Sequence, residues 1–207
     1  MRRLRTILPQ LAVLLSLCLG VSSIAHADTS DSTTYGSGNY GNCDFGSCTI
    51  TLSSGGSVAA NVTPTATGKC TVQSDSVSVL TDSNTGYSLT MTTSGTNTAM
   101  TSGGNSIPAS SGTAASPTSL AVNRWGYRVD GLSGFGAGPT SAQTNGSTPA
   151  TTFAGVPASN QAAVQIAYSG SAANPAANTT VWFGVCANTS QSSGSYAATI
   201  TYTAVTN

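Results

Sequence analysis

The chain has 207 residues, with six lysines and arginines against six aspartates, no glutamate and a single histidine. Arg2, Arg3 and Arg5 crowd the N-terminus, so the remainder carries Lys69, Arg124 and Arg128 against all six aspartates; capture of nucleic acid or anionic lipid by a basic surface is excluded. The one histidine, His26, falls inside a predicted processing site, which takes histidine-based hydrolytic triads and most transition-metal sites away from the working part of the chain.

From the N-terminus, Arg2, Arg3 and Arg5 precede an apolar stretch from Ile7 to Ile24 that contains Leu11, Val13, Leu14, Leu15, Leu17 and Leu19. Ala25-His26-Ala27 then gives the small-x-small pattern of a signal-peptidase site, so residues 1–27 read as a signal peptide cleaved after Ala27 and the protein as secreted or surface-located. A retained anchor needs about 20 predominantly apolar residues, and Pro9, Gln10, Ser16, Ser22 and Ser23 interrupt this one. Leu15-Ser16-Leu17-Cys18 resembles a lipobox but places Leu17 where a small residue is expected. No second stretch could span a membrane. Residues 28–42, beginning DTSDSTTYGSG, read as a flexible lead-in, and 43–207 as one domain large enough to bury a core.

Within that domain apolar residues recur at period two, the signature of half-buried strands. Ile50 with Leu52, Ala60 with Val62, Val77 with Val79, and Tyr87 with Leu89 and Met91 form the first set. Val164, Ile166 and Tyr168 follow later, and Tyr196, Ala198, Ile200, Tyr202 and Ala204 make the clearest strand. Thr180 to Ala187, TVWFGVCA, is apolar on both faces and reads as a central strand. No stretch of the domain has helical periodicity, and Gly, Pro, Asn and Ser turns punctuate the runs. The predicted fold is all-β, a single antiparallel β-sandwich of the immunoglobulin-like kind.

Two polar segments, Thr92 to Ser119 and Gly131 to Ala150, break the pattern and read either as binding loops or as solvated connections. Trp125, Tyr127 and Phe135 near the second are candidates for an aromatic binding surface. The competing reading, which aromatic residues at strand spacing favour, puts Trp125, Tyr127 and Val129 on the inward face and Arg124, Arg128 and Asp130 on the outward face.

Cys43, Cys48, Cys70 and Cys186 follow the predicted cleavage site, an even number that in an exported chain implies disulfides. One pattern closes Cys43 on Cys48 locally and sends Cys70 to Cys186 across the sandwich; another ties Cys43 to Cys70. The Cys-x4-Cys-x21-Cys-x115-Cys spacing lacks zinc-knuckle pairs.

Catalysis is not expected. A serine triad lacks its histidine, the aspartates lie mostly among turn residues such as Asp82-Ser83-Asn84, and Lys69 would have to serve alone in any serine–lysine dyad or isopeptide crosslink. No cofactor is expected, and no Asp-rich calcium loop is present.

Two segments carry a family resemblance. Thr81-Asp82-Ser83-Asn84-Thr85-Gly86-Tyr87-Ser88-Leu89-Thr90-Met91 resembles the middle motif of WxL-domain surface proteins, and Gly194-Ser195-Tyr196-Ala197-Ala198-Thr199-Ile200-Thr201-Tyr202-Thr203-Ala204 is similar to that family's C-terminal strand. Tyr87 and Tyr202 stand where the family has tryptophan, and Ala204 replaces the final leucine. The resemblance implies an exported β-sandwich that binds cell-wall peptidoglycan non-covalently. The expectation is therefore a non-enzymatic secreted or cell-surface protein with a cell-wall, adhesion or coat role, its partner a cell-wall polysaccharide or another surface protein. Alternatives are a self-assembling pilin-like or coat subunit, and a carbohydrate-binding module that stacks sugars on Trp125, Tyr127 or Trp182.

Overall fold

Within the TVWFGVCA run, Trp182 to Cys186 pair with a strand on each side, as the residues of a central strand do. The run ends a fifteen-residue strand, Ala173–Ala187, in the computed structural model, which describes the backbone of Ser23–Asp28 and residues 48–207. In chain order the strands are β1 (Ser23–Asp28), β2 (Ile50–Ser54), β3 (Lys69–Thr81), β4 (Tyr87–Thr93), β5 (Met100–Ser102), β6 (Asn105–Ile107) and β7 (Thr118–Ser119). They continue with β8 (Arg124–Arg128), β9 (Gln143–Gly146), β10 (Thr152–Phe153), β11 (Val164–Ser169), β12 (Ala173–Ala187) and β13 (Ile200–Thr206).

One sheet runs β1-β13-β4-β11; the other runs β2-β3-β12-β8, with β9 also on β3. Both sheets are antiparallel except where β1 joins β13 in parallel, Ser23 opposite Ile200 through Asp28 opposite Val205. Val77, Val79, Val181, Phe183 and Val185 from one sheet share a core with Leu89, Met91, Ile200, Tyr202 and Ala204 from the other. The all-β sandwich expected from the alternation is the fold. The segments carrying the WxL resemblance lie side by side, Tyr202 opposite Met91 and Thr206 opposite Tyr87. Between β3 and β4, Gly86 turns at φ +82°, and a Cβ there would lie 2.0 Å from the Ser169 carbonyl oxygen, so only glycine fits.

Several expectations need correction. Tyr168 does not share the inward face with Ile166: a register shift between Gln165 and Ala167 breaks the period, Ile166 is buried, and Tyr168 is 64% exposed. Ala60 and Val62 are fully buried as their alternation requires, yet they lie on extended chain outside any strand, held partly by the Thr71 hydroxyl donating to the Asn61 carbonyl at 2.6 Å. The last strand begins at Ile200; Tyr196 and Ala198 are buried ahead of it, where an isolated bridge joins Ala197 to Thr101. The polar segment from Thr92 to Ser119 is not a plain loop, because β5 and β6 form a hairpin that sends Met100 and Ile107 into the core. Among the described residues, no helix is long and apolar enough to cross a membrane. Residues 1–22 of the predicted signal peptide, residues 29–42 of the predicted lead-in, and Cys43 lie outside the described residues.

Candidate functional site

Trp125 and Tyr127 are inward residues of β8, and their burial decides the first question about function. Trp125 is 0% exposed, Tyr127 1% and Phe135 4%, so the three rings offered as a binding surface belong to the core. Trp125 satisfies its indole N–H at the Thr98 carbonyl, 3.0 Å away, as a buried tryptophan must. Phe135, from a 3-10 turn at Ser133–Phe135, meets Tyr127 edge-on with centroids 5.4 Å apart. Burial alone pushes the Tyr127 hydroxyl pKa far up, so it stays protonated.

Arg128, expected on the outward face, is buried under chain that covers it. It is 2% exposed and sits over Phe135, its guanidinium carbon 5.8 Å from the ring centroid. Its Nε donates to Asp130 at 2.6 Å, one terminal nitrogen donates to the carbonyls of Phe135 at 2.6 Å and Thr152 at 3.4 Å, and the other donates to Gly136 at 3.3 Å. A planar fork with five donors suits such a set of acceptors, where a lysine would leave some unserved. Asp130 accepts from the Thr140 N–H at 2.8 Å and the Thr140 hydroxyl at 2.7 Å. Desolvation raises the Asp130 pKa, but the two Thr140 donors and Arg128 outweigh it, and the net shift is downward. The pair thus clasps the chain from Gly131 to Thr140 against the end of β8.

That clasp forms one wall of an open groove of about 540 Å³. Val129, Asp130, Gly131 and Leu132 supply the wall, Ile166 of β11 part of the apolar lining, and Asn178, Thr179, Thr180 and Trp182 of β12 the remainder. Asn178, Thr180 and Trp182 share one face of β12 by the two-residue period. Asn178 and Thr180 are exposed, while Trp182 is half-buried and packs against a second apolar cluster of Cys70, Val72, Leu120, Phe153 and Cys186. Of the aromatic residues named from the sequence, Trp182 is the one that reaches a groove. The period of TVWFGVCA already put Trp182 opposite in facing to Val181 and Phe183; the groove itself depends on the turn after β8, which no local pattern discloses.

The Cys70–Cys186 disulfide is present, but within one sheet. The two residues are directly opposite on β3 and β12, with Cα atoms 4.1 Å apart. The bridge therefore does not cross the sandwich as expected; it locks the central ladder on its outer face. Cys48 is also disulfide-bonded.

A second polar feature lies in the core. Asp75 of β3 is 3% exposed and accepts from the Gly55 N–H at 2.8 Å through one oxygen. Its other oxygen and the Tyr202 hydroxyl lack hydrogen bonds of proper geometry, although each group is near enough to perturb the other's ionisation. Desolvation raises the Asp75 pKa more than the neighbouring Gly55 N–H, the nearby Tyr202 hydroxyl and the Ser76 N–H lower it. Burial first, and then the proximity of the Asp75 carboxylate, push the Tyr202 pKa far up. Closed off between the sheets, the pair does not line the groove beside Trp182 and reads as structural.

No family model matches the chain, and neither a curated protein nor a solved structure matches it.

Proposed function

We propose that the protein is a non-enzymatic, exported β-sandwich that works at the cell surface, associating with the envelope in a cell-wall, adhesion or coat role. The observation that carries this reading is the Cys70–Cys186 bridge, because such disulfides persist in oxidising compartments and are reduced in the cytosol. The arginine cluster, apolar stretch and Ala25-His26-Ala27 of the N-terminus support export independently. A surface dominated by serine, threonine, asparagine and glycine, poor in charge, suits contact with neutral polymers better than with polyelectrolytes. Mixing the processed protein with purified peptidoglycan and pelleting the wall should deplete the supernatant across a range of salt concentrations. Absence of depletion at every salt concentration would remove wall association.

A second reading, a self-assembling coat or pilin-like subunit, is favoured by the edge strand. β1 contains the Ala27–Asp28 bond where cleavage is expected, so cleavage would take away most of the strand that covers β13 and leave an edge to which a neighbour's strand could add. Light scattering of the processed protein then shows mass rising with concentration; a monomer at all concentrations argues against it.

A further inference from the structure

We propose that the groove beside Trp182 is a binding site for a neutral saccharide, engaging the pyranose units of a wall or surface glycan. For its biological setting the proposal rests on the surface reading above, but its chemistry stands on the groove alone.

Charge decides the class of ligand. Asp130 is the one ionisable side chain in the lining, and it is already matched: Arg128 bonds it at 2.6 Å and Thr140 supplies two more donors. A cationic ligand meets a compensated carboxylate, and an anionic ligand meets no available cation, since the Arg128 guanidinium is buried and spent on Asp130 and three carbonyls. The remaining polar side chains on the Trp182 face of β12 are the amide of Asn178 and the hydroxyl of Thr180. Amides and hydroxyls donate and accept alike, which is what a ligand made of hydroxyl groups requires.

The apolar part fits the same class. Trp182 lines the groove half-buried and packs against the disulfide cluster, which supports the indole from one side. A sugar ring has an apolar face of C–H bonds and a polar rim; a supported indole beside an amide and a hydroxyl matches that amphipathic shape. At about 540 Å³ the groove is within the usual 300–1,000 Å³ of ligand sites, and it is open to solvent. Its wall is pre-formed by the Arg128–Asp130 clasp, so little ordering is required on binding.

The chain has two tryptophans, and Trp125 is fully buried, so a ligand-induced change in tryptophan fluorescence reports on Trp182. The processed, oxidised protein is titrated with two uncharged probes, cellotetraose and tetra-N-acetylchitotetraose, and with polygalacturonate as an anionic control. The proposal expects a saturable change with a neutral probe. Trp182→Ala weakens binding about tenfold or more and Asn178→Ala several-fold, as followed by calorimetry, while Trp182→Phe retains a substantial part. Asn178 is exposed, so its variant keeps the test valid should Trp182→Ala fail to fold. Absence of a saturable response to both neutral probes, unchanged affinity in Asn178→Ala and folded Trp182→Ala, or preference for polygalacturonate overturns it. Wall pelleting separates this result from the broader reading. Equal pelleting of wild type and Trp182→Ala, with no response to the neutral probes, overturns the groove and leaves wall association standing; oligosaccharide binding without pelleting does the reverse.

Discussion

Two aspartates of opposite behaviour show how position sets the chemistry of a residue type. Asp75 is raised above the ordinary carboxyl value of 3.8 by desolvation, so the folded state holds its proton more tightly than the unfolded chain does. Its contribution to stability is full below about pH 3.8 and is lost as pH rises through the folded value. Asp130 is lowered, so its contribution is present above pH 3.8 and is lost as pH falls through its folded value. Urea unfolding followed against pH should therefore show Asp75→Asn flattening a loss of stability on the neutral side of pH 3.8, and Asp130→Asn removing a loss on the acid side. Parallel profiles for wild type and both variants would contradict these assignments. Neither behaviour was legible in the sequence: Asp75 sits in a Ser-rich context that does not disclose its burial, and burial is what raises it. Arg128 teaches the same lesson. Alternation put it outward, but its acceptors come from Phe135, Gly136 and Thr152, chain that folds back over β8.

The strands read best where one face is core and the other is water. β4, with Tyr87, Leu89 and Met91 buried between less buried Ser88, Thr90 and Thr92, follows its pattern throughout. β11 fails after Ile166 because a bulge inserts an extra residue, and period two then assigns Tyr168 to the wrong face. Strands and extended segments look identical in hydropathy, which is why Ala60 and Val62 were legible as buried but not as lying outside a ladder. Cross-strand partners separated by 116 residues are likewise invisible to local pattern, so the pairing of Cys70 with Cys186 could be expected while its place within a sheet could not. Because that bridge closes a long loop, replacing both cysteines by alanine should cost about 2–5 kcal/mol and lower the melting temperature by roughly 4–20 °C. A melting temperature unchanged by the double substitution would show that the β3–β12 ladder and its packing hold the sheet without it.

At the scale of the molecule, a weakly charged, disulfide-locked sandwich carries a groove beside Trp182 and a strand, β13, that β1 covers. The all-β class followed from alternation and turn residues over most of the chain. The groove did not, since its walls come from the clasped turn after β8, from β11 and from β12, which meet through tertiary packing. The N-terminus links the address to the fold, because Ser23–Asp28 both contains the expected cleavage site and pairs along β13. Cleavage after Ala27 leaves Asp28 as the first residue and a mature chain with three basic residues against six aspartates. The most direct measurement is to fractionate the producing cells into cytoplasm, membrane, wall and medium, and determine the N-terminus of the protein in each by mass spectrometry. Export predicts a chain beginning at Asp28 in the wall or medium; an intact chain beginning at Met1 and confined to the cytoplasm would contradict it.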